Sequence, residues 1–291
     1  MKPAAFAYSR PVTVDEALRL LAAGDAKVLA GGQSLVPILS MRLASPASVV
    51  DINHVAGLDA IEVDGAGVRI GALTRHRALE QDQRAFAANP LLRRTLECVA
   101  HPTIRNRGTT VGSLVHADPS AEMPAVLALL GGEIEVVSEA VGRRTIAACD
   151  FVVGPMESTT RPDELAVSAW FPHPPPRSGS SWREVSRRHG DYAVAGVGAI
   201  VTLGDGDTVA SARLAFISVA VVPVCVDVSE ALAGQAARSL DVSAVAEFVS
   251  AAIDPEPDIH ATAEYRAHLA RVLAGRALCA AAADAVERSA A

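Results

Sequence analysis

The sequence predicts an α+β protein of two domains, the first of them two-lobed. Three observations carry this. The chain has 291 residues, more than one hydrophobic core usually organises. Its apolar pattern reads strand–helix–strand near the N-terminus, then changes after about residue 55 to hairpins interleaved with helices. Finally, "PHPPPRSGSS" at 172–181 continues neither a sheet nor a helix. The expected domains are therefore 1–174, with lobes at about 1–55 and 56–174, and 175–291. The first lobe should be a small parallel α/β unit and the second a mixed, antiparallel one. The C-terminal domain should pair a three-stranded antiparallel sheet with a helical bundle.

Each element has a local reason. "TVDEALRLLAAG" is a helix: Thr13 and Glu16 stand at capping-box spacing, Leu18 and Leu21 share a face, and Gly24 stops it. "KVLA" is a short strand, "SLVPILSMRLA" a helix with Pro37 in its first turn, and "SVVDI" a second strand. A right-handed crossover would make those two strands parallel. "LDAIEVDGAGVRIGAL" is a hairpin with a DG turn. Helices follow from Thr74 to Leu79, in "PLLRRTLECVA" and in "AEMPAVLALLG", then strands "EIEVVS" and "ELAVSAWFP". Beyond the proline-rich break, "SWREVSRR", "YAVAGVGAIVTLG" and "TVASARLAFISVA" are antiparallel strands, with "GDGD" turning the last two. The remainder is helical over 239–252 and 262–287, where Tyr265, Leu269, Val272, Leu273 and Leu278 form an apolar stripe.

Composition narrows the function. A net charge of −7 argues against nucleic acid or an anionic membrane as main partner. No run of about 18 uncharged apolar residues suggests a membrane span, and "MKPAAFAYSR" lacks the apolar core of a secretion signal. A cytoplasmic protein is expected. Cys98, Cys149, Cys225 and Cys279 are far apart in sequence, so isolated buried thiols are expected rather than a metal or iron–sulfur site.

Two glycine-rich loops carry the chemistry. In "KVLAGGQSLVP", Gly31, Gly32, Gln33 and Ser34 join a strand to a helix. Such a junction offers unpaired backbone N–H groups and a positive helix end, both suited to phosphate. Glycines let an anion approach the backbone without meeting a Cβ. The loop is neither GxGxxG nor a P-loop. The second, "RNRGTTVGSLVHADPSAEMP", clusters Gly108, Thr109, Thr110, Gly112 and Ser113, with Asp118 and Glu122 before a helix. Two such loops suit the two ends of a dinucleotide, and the carboxylates suit sugar hydroxyls. Each loop alone also fits an ordinary turn, and Asp118 and Glu122 also fit helix caps. The pair is more informative than either member.

"LAGGQSL", "HPTIRNRGTTVGSLVHADPSAEMP" and "RRHGDYAVAGVGA", in this order and spacing, resemble the FAD-binding medium subunit of molybdenum hydroxylases, the carbon monoxide dehydrogenase and xanthine dehydrogenase family. The resemblance spans nearly the whole chain. It implies a two-lobed FAD-binding domain, a C-terminal domain of the CO-dehydrogenase flavoprotein type, and FAD in the cleft between them. It also implies that Val28, Leu29, Ala30, Gly31, Gly32, Gln33, Ser34 and Leu35 line the diphosphate, and that Gly108, Thr109, Thr110, Gly112 and Ser113 form the second cofactor loop. Glu122, with Asp118 close by, would meet cofactor hydroxyls; His101 and Ile104 would flank the site; Tyr192 and Arg183 would approach the flavin. The family's usual GT[I/V]GGS reads "GTTVGS" here, with Val111 at a common glycine position and only Gly112 left for the closest backbone approach.

The implied role is electron transfer. A large subunit with a molybdenum–pterin centre would oxidise substrate, and a small subunit with two [2Fe–2S] clusters would relay electrons to FAD on this chain. An external acceptor would then receive them, in an assembly expected to be a dimer of heterotrimers. No general acid, base or nucleophile is assigned, and no metal is expected on the chain itself. Two other readings stand beside this one: a stand-alone FAD-dependent oxidoreductase of the same fold, and an assembly module without FAD.

Overall fold

The computed structural model describes residues 2–290. β1 (Ala7–Ser9), α1 (Val14–Ala22), β2 (Ala26–Leu29), α2 (Leu35–Ser40) and β3 (Ser48–Asp51) form the first lobe. Its three-stranded sheet runs β1-β3-β2, and both pairings are parallel. β1 is invisible in the sequence because three largely exposed residues carry no period. The Thr13 hydroxyl caps α1, accepting from Glu16 N at 3.2 Å. The reciprocal bond goes one residue further back than a capping box, to Val12 N at 2.8 Å.

The second lobe begins with the expected hairpin, β4 (Ile61–Val63) and β5 (Gly67–Gly71). Six helices follow: α3 (His76–Gln81), α4 (Gln83–Ala88), α5 (Pro90–Leu96), α6 (Pro102–Arg105), α7 (Thr110–His116) and α8 (Glu122–Leu130). α3 starts at His76 rather than Thr74, because the Thr74 hydroxyl donates to Ala60 O at 3.0 Å and ties that residue to the hairpin. After β6 (Glu133–Ser138), β7 (Gly142–Ala147), α9 (Ala148–Phe151) and a small ribbon of β8 (Val152–Gly154) and β9 (Glu157–Ser158), the chain returns through β10 (Leu165–Pro172). β10 is the central strand of the sheet β4-β5-β10-β6-β7, in which every pairing is antiparallel. Its near-continuous burial explains the apolar run "LAVSAWFP", interrupted only by Ser168.

The interval between sheets is only 173–177, shorter than the proline-rich stretch, since β11 (Ser178–Ser186) pairs from its first residue. β12 (Ala193–Leu203) and β13 (Val209–Ile217) complete the three expected strands, and β14 (Val224–Asp227) adds a fourth. Four residues of "VCVD" are too short to stand out. α10 (Ser229–Leu232), α11 (Val245–Ala252) and the 28-residue α12 (Ala263–Ala290) follow.

Leu269, Leu273 and Leu278 of the predicted stripe are buried, but Tyr265 is 48% exposed. The contact face of α12 is mostly alanine: Ala274, Ala277, Ala281, Ala282 and Ala285 are fully buried. Small residues let the helix lie close on the sheet, and the Ser181 hydroxyl donates to Ala277 O at 2.8 Å. The opposite sheet face joins the first domain's core through Trp182, Ala193, Ile200, Ala215 and Ile217. Arg94 of α5 reaches across to Asp284 of α12 in a two-point ion pair, at 2.8 and 2.6 Å.

Among the described residues no helix is long and apolar enough to cross a membrane. Of the four thiols, Cys149, Cys225 and Cys279 are exposed rather than buried, and Cys98 is half-buried.

Candidate functional site

The fold presses the two glycine-rich loops against each other. A Cβ on Gly31 would fall 2.5 Å from Arg107 O, 2.8 Å from Gly108 Cα and 3.0 Å from Thr109 N. The two loops therefore touch backbone to backbone at Gly31. Gly112 is small for another reason: a Cβ there would meet the Thr109 hydroxyl at 2.5 Å, the group that caps α7 by accepting from Gly112 N. Val111 is 2% exposed and packs in the main core, so the side chain at that departure points inward, away from the loop contact.

In the first loop Gly32 adopts a φ of +73°, which glycine alone tolerates easily. This turn sends Val36 N to Gly32 O at 3.1 Å. The amides of Gln33, Ser34 and Leu35 have no hydrogen-bond partner among the described residues. The Gln33 side chain folds back to donate to Gly31 O at 3.1 Å. Three half-buried free amides beside a left-handed glycine are an anion-binding geometry.

A polar relay clamps the loops from beneath. Asn53 Nδ2 donates to Ala30 O at 2.8 Å in the first loop, and its Oδ1 accepts from Arg75 at 2.6 Å. Arg75 also donates to Arg107 O at 2.6 Å in the second. Alongside, His76 N donates to Gly108 O at 2.9 Å, and its Nδ1 pairs with the Thr110 hydroxyl at 3.0 Å. Burial, helped by the Arg105 charge, pushes the His76 ring down to about 4, so it is neutral at physiological pH. Arg105 is itself 5% exposed, paired with Glu80 at 3.0 Å and donating to Val99 O and Ala100 O. Asn53, Arg75, His76 and Glu80 carry no local motif; only the tertiary pairing shows what they do.

The other expected site residues gather where the C-terminal sheet meets the helices that precede it. The Asp118 carboxylate caps its own turn, accepting from Ser120 N at 2.8 Å, and does not cap α8. Glu122 opens α8 and is 9% exposed. Tyr192 is 70% exposed as a whole, while desolvation of its hydroxyl and the Asp118 and Glu122 carboxylates push its phenol up. A Cβ on Gly190 would lie 2.4 Å from His101, which brings the loop before β12 onto the start of α6. Ile104 is half-buried in that helix. Val28 through Leu35 are all half-buried, as is Ser113. Arg183 is not brought to this region. It shares a strand face with Ser181, turned toward α12, and lines an open groove of about 770 Å³ with Glu184, Arg271 and Arg276.

Glu122 is the most perturbed carboxyl here. Burial first, and the Glu184 charge second, raise it from 4.5 to about 8. Between these values the folded protein holds a proton that the unfolded chain gives up, so stability falls as pH rises through the window. Glu122→Gln is expected to leave the cofactor-free chain unchanged near pH 4 and to stabilise it at pH 8 and above, by up to about 5 kcal/mol. Urea unfolding at both pH values checks this, and identical curves at pH 8 would refute it.

Known proteins share this sequence and fold. Residues 4–174 match the family model described as the FAD binding domain in molybdopterin dehydrogenase. Residues 180–281 match the CO dehydrogenase flavoprotein C-terminal domain. The chain is 40% identical over 281 residues to the 6-hydroxypseudooxynicotine dehydrogenase complex subunit alpha of Paenarthrobacter nicotinovorans, covering 96% of this chain and 95% of that protein. It is 36% identical over 280 residues to the nicotine 6-hydroxylase medium subunit of the same organism, covering 96% and 98%. It superposes with a TM-score of 0.91 on a chain of carbon monoxide dehydrogenase from Hydrogenophaga pseudoflava, at 33% identity, covering 98% of this chain and 99% of that one.

Proposed function

The chain belongs to the family of FAD-binding medium subunits of molybdenum hydroxylases, and on that premise we propose that it receives electrons from the [2Fe–2S] clusters of a small partner subunit and passes them to an external acceptor. A large molybdenum–pterin subunit would generate those electrons by oxidising substrate, in a cytoplasmic dimer of heterotrimers. FAD, when bound, supplies the redox chemistry; the chain supplies position and electrostatics.

The residues present fit that group. Gly31 lets the second loop pack directly against the first, and the free amides of Gln33, Ser34 and Leu35 beside the left-handed Gly32 suit an anionic diphosphate. In this reading Val28 through Leu35 hold the diphosphate region, while Gly108, Thr109, Gly112 and Ser113 form the facing wall. Thr110 acts through the hydrogen bond between its hydroxyl and His76. Glu122 and Asp118 take cofactor hydroxyls, and His101, Ile104 and Tyr192 border the flavin side. Arg183 has no part in it. The units 1–174 and 175–291 would close on the cofactor as two domains. The observation that carries this reading is the contact of the two loops at Gly31, with unbonded amides beside it.

The test is the absorption spectrum and composition of the protein purified from its native source. Stoichiometric FAD and two co-purifying polypeptides, one holding molybdenum and one iron, are expected. Flavin without partners would favour a stand-alone oxidoreductase, and a colourless chain within a complex would favour an assembly module.

A further inference from the structure

Ser218 follows β13 with a φ of +62°, a left-handed conformation that a non-glycine residue holds only when its surroundings fix it. Three hydrogen bonds fix it here. Its amide donates to Pro119 O at 3.0 Å and its hydroxyl to Ser120 Oγ at 2.9 Å, both in the turn that precedes α8. Its carbonyl accepts from Arg266 Nη1 at 3.2 Å.

Arg266 is buried in the first turn of α12. The same Nη1 donates to Val194 O at 2.7 Å, near the start of β12. Its Nη2 meets the Asp258 carboxylate at 2.6 Å. Asp258 also accepts from His260 N at 2.8 Å and Ala261 N at 2.9 Å, so the loop before α12 holds the guanidinium in place. A planar guanidinium has donors in a rigid fork, which sets the spacing of the groups it joins. One cation thus ties the start of β12 to the end of β13 and, through Ser218, to the turn at 118–121.

Two expected site residues lie between such anchor points. Tyr192 stands between Gly190, which lies against His101, and Val194, whose carbonyl Arg266 holds. Asp118 stands between Ala117, whose carbonyl accepts from Met156 N at 2.9 Å, and Pro119, whose carbonyl Ser218 holds. The two residues are far apart in sequence, and Arg266 and Ser218 join the segments that carry them.

We propose that Ser218 and Arg266 form a latch that sets Tyr192 against the Asp118 turn, and that both are positioning residues for the flavin end of the cofactor. The ligand rests on the FAD reading above; the latch itself does not. The glycine loops are held to each other separately, by Asn53 and Arg75. The two ends of the site can therefore be perturbed one at a time.

Two measurements on the cofactor-free full chain test this. Ser218→Gly keeps the backbone bonds and accepts the positive φ, but loses the hydroxyl. Arg266→Lys keeps the charge but loses the fork. In both variants the amides of Ser120 and Ala121, each bonded within the Asp118 turn, are expected to exchange hydrogen about tenfold faster. Titrations with FAD and with ADP supply the second measurement. ADP carries the diphosphate without the flavin, so it reads the glycine loops alone. The FAD dissociation constant is expected to rise about tenfold in both variants, as a misplaced contact requires. The ADP constant is expected to stay within about twofold, because the glycine loops do not share the latch. In a Tyr192→Leu background the further loss of FAD affinity from Ser218→Gly is expected to shrink to about threefold or less, since the residue it positions is gone.

Unchanged exchange at Ser120 and Ala121 overturns the latch. Faster exchange with FAD affinity unaltered, or with FAD and ADP weakened alike, overturns its role at the flavin end. An equal loss in the parent and Tyr192→Leu backgrounds overturns the link to Tyr192. Where Arg266→Lys does not fold, Ser218→Gly decides alone. A parent chain that binds no FAD overturns the FAD reading instead, while hydrogen exchange still decides the latch.

Discussion

Gly31→Ala is expected to empty the cofactor site while leaving the chain folded. The added Cβ would sit 2.5 Å from Arg107 O and 2.8 Å from Gly108 Cα, closer than real Cβ atoms come to anything. Both obstacles are backbone atoms, so no rotamer change relieves the clash; the loops must part. Parting them stretches the relay from Ala30 O through Asn53 and Arg75 to Arg107 O. A grip shared between two loops is lost when their spacing changes by even about 1 Å. FAD affinity is expected to fall at least about 100-fold, near 3 kcal/mol. Flavin fluorescence titration measures it, with Gly65→Ala as control, because nothing lies within 4 Å of a Cβ there. An affinity within about threefold of the parent, under 1 kcal/mol, would sink the clamp.

Gly179→Ala is expected to have the largest effect on stability. Its Cβ would lie 2.1 Å from Ala285 N and 2.2 Å from Ala281 O, inside the backbone of α12. The helix can only lift from the sheet, which strips contacts from its buried alanines and strains Ser181 to Ala277 O and Ser180 N to Asp284. Overpacking of this kind costs roughly 3 kcal/mol or more when backbone must move. The denaturant midpoint of the cofactor-free chain should drop accordingly, with the slope unchanged. A midpoint equal to the parent's would show that α12 does not rest on β11 this closely.

The hydrophobic periods were strong enough to mark most elements. α1, the β4–β5 hairpin, α8, β6, β10 and the strands β11 to β13 each carry a signal within their own residues. Short or largely exposed elements carried none, as β1 and β14 show. The larger apolar residues mark only part of the contact face of α12: alanine scores weakly as apolar, yet it is alanine that lets this helix approach. In the second loop, the smallness of Gly112 reads as room for a ligand, whereas the space is filled by the Thr109 hydroxyl.

By itself the sequence determined that this protein has two glycine-rich turns after apolar segments, a proline-rich break and an antiparallel C-terminal sheet. These features are local: turn chemistry, capping and apolar alternation depend on neighbours a few residues away. Only the tertiary structure decided that Gly31 rests on Arg107 and Gly108, and that Arg75 and Asn53 bind the two loops. Those pairings span tens of residues and are set by sheet register and close packing. No segment of the chain encodes them alone, because each needs the whole core to hold its partner in place.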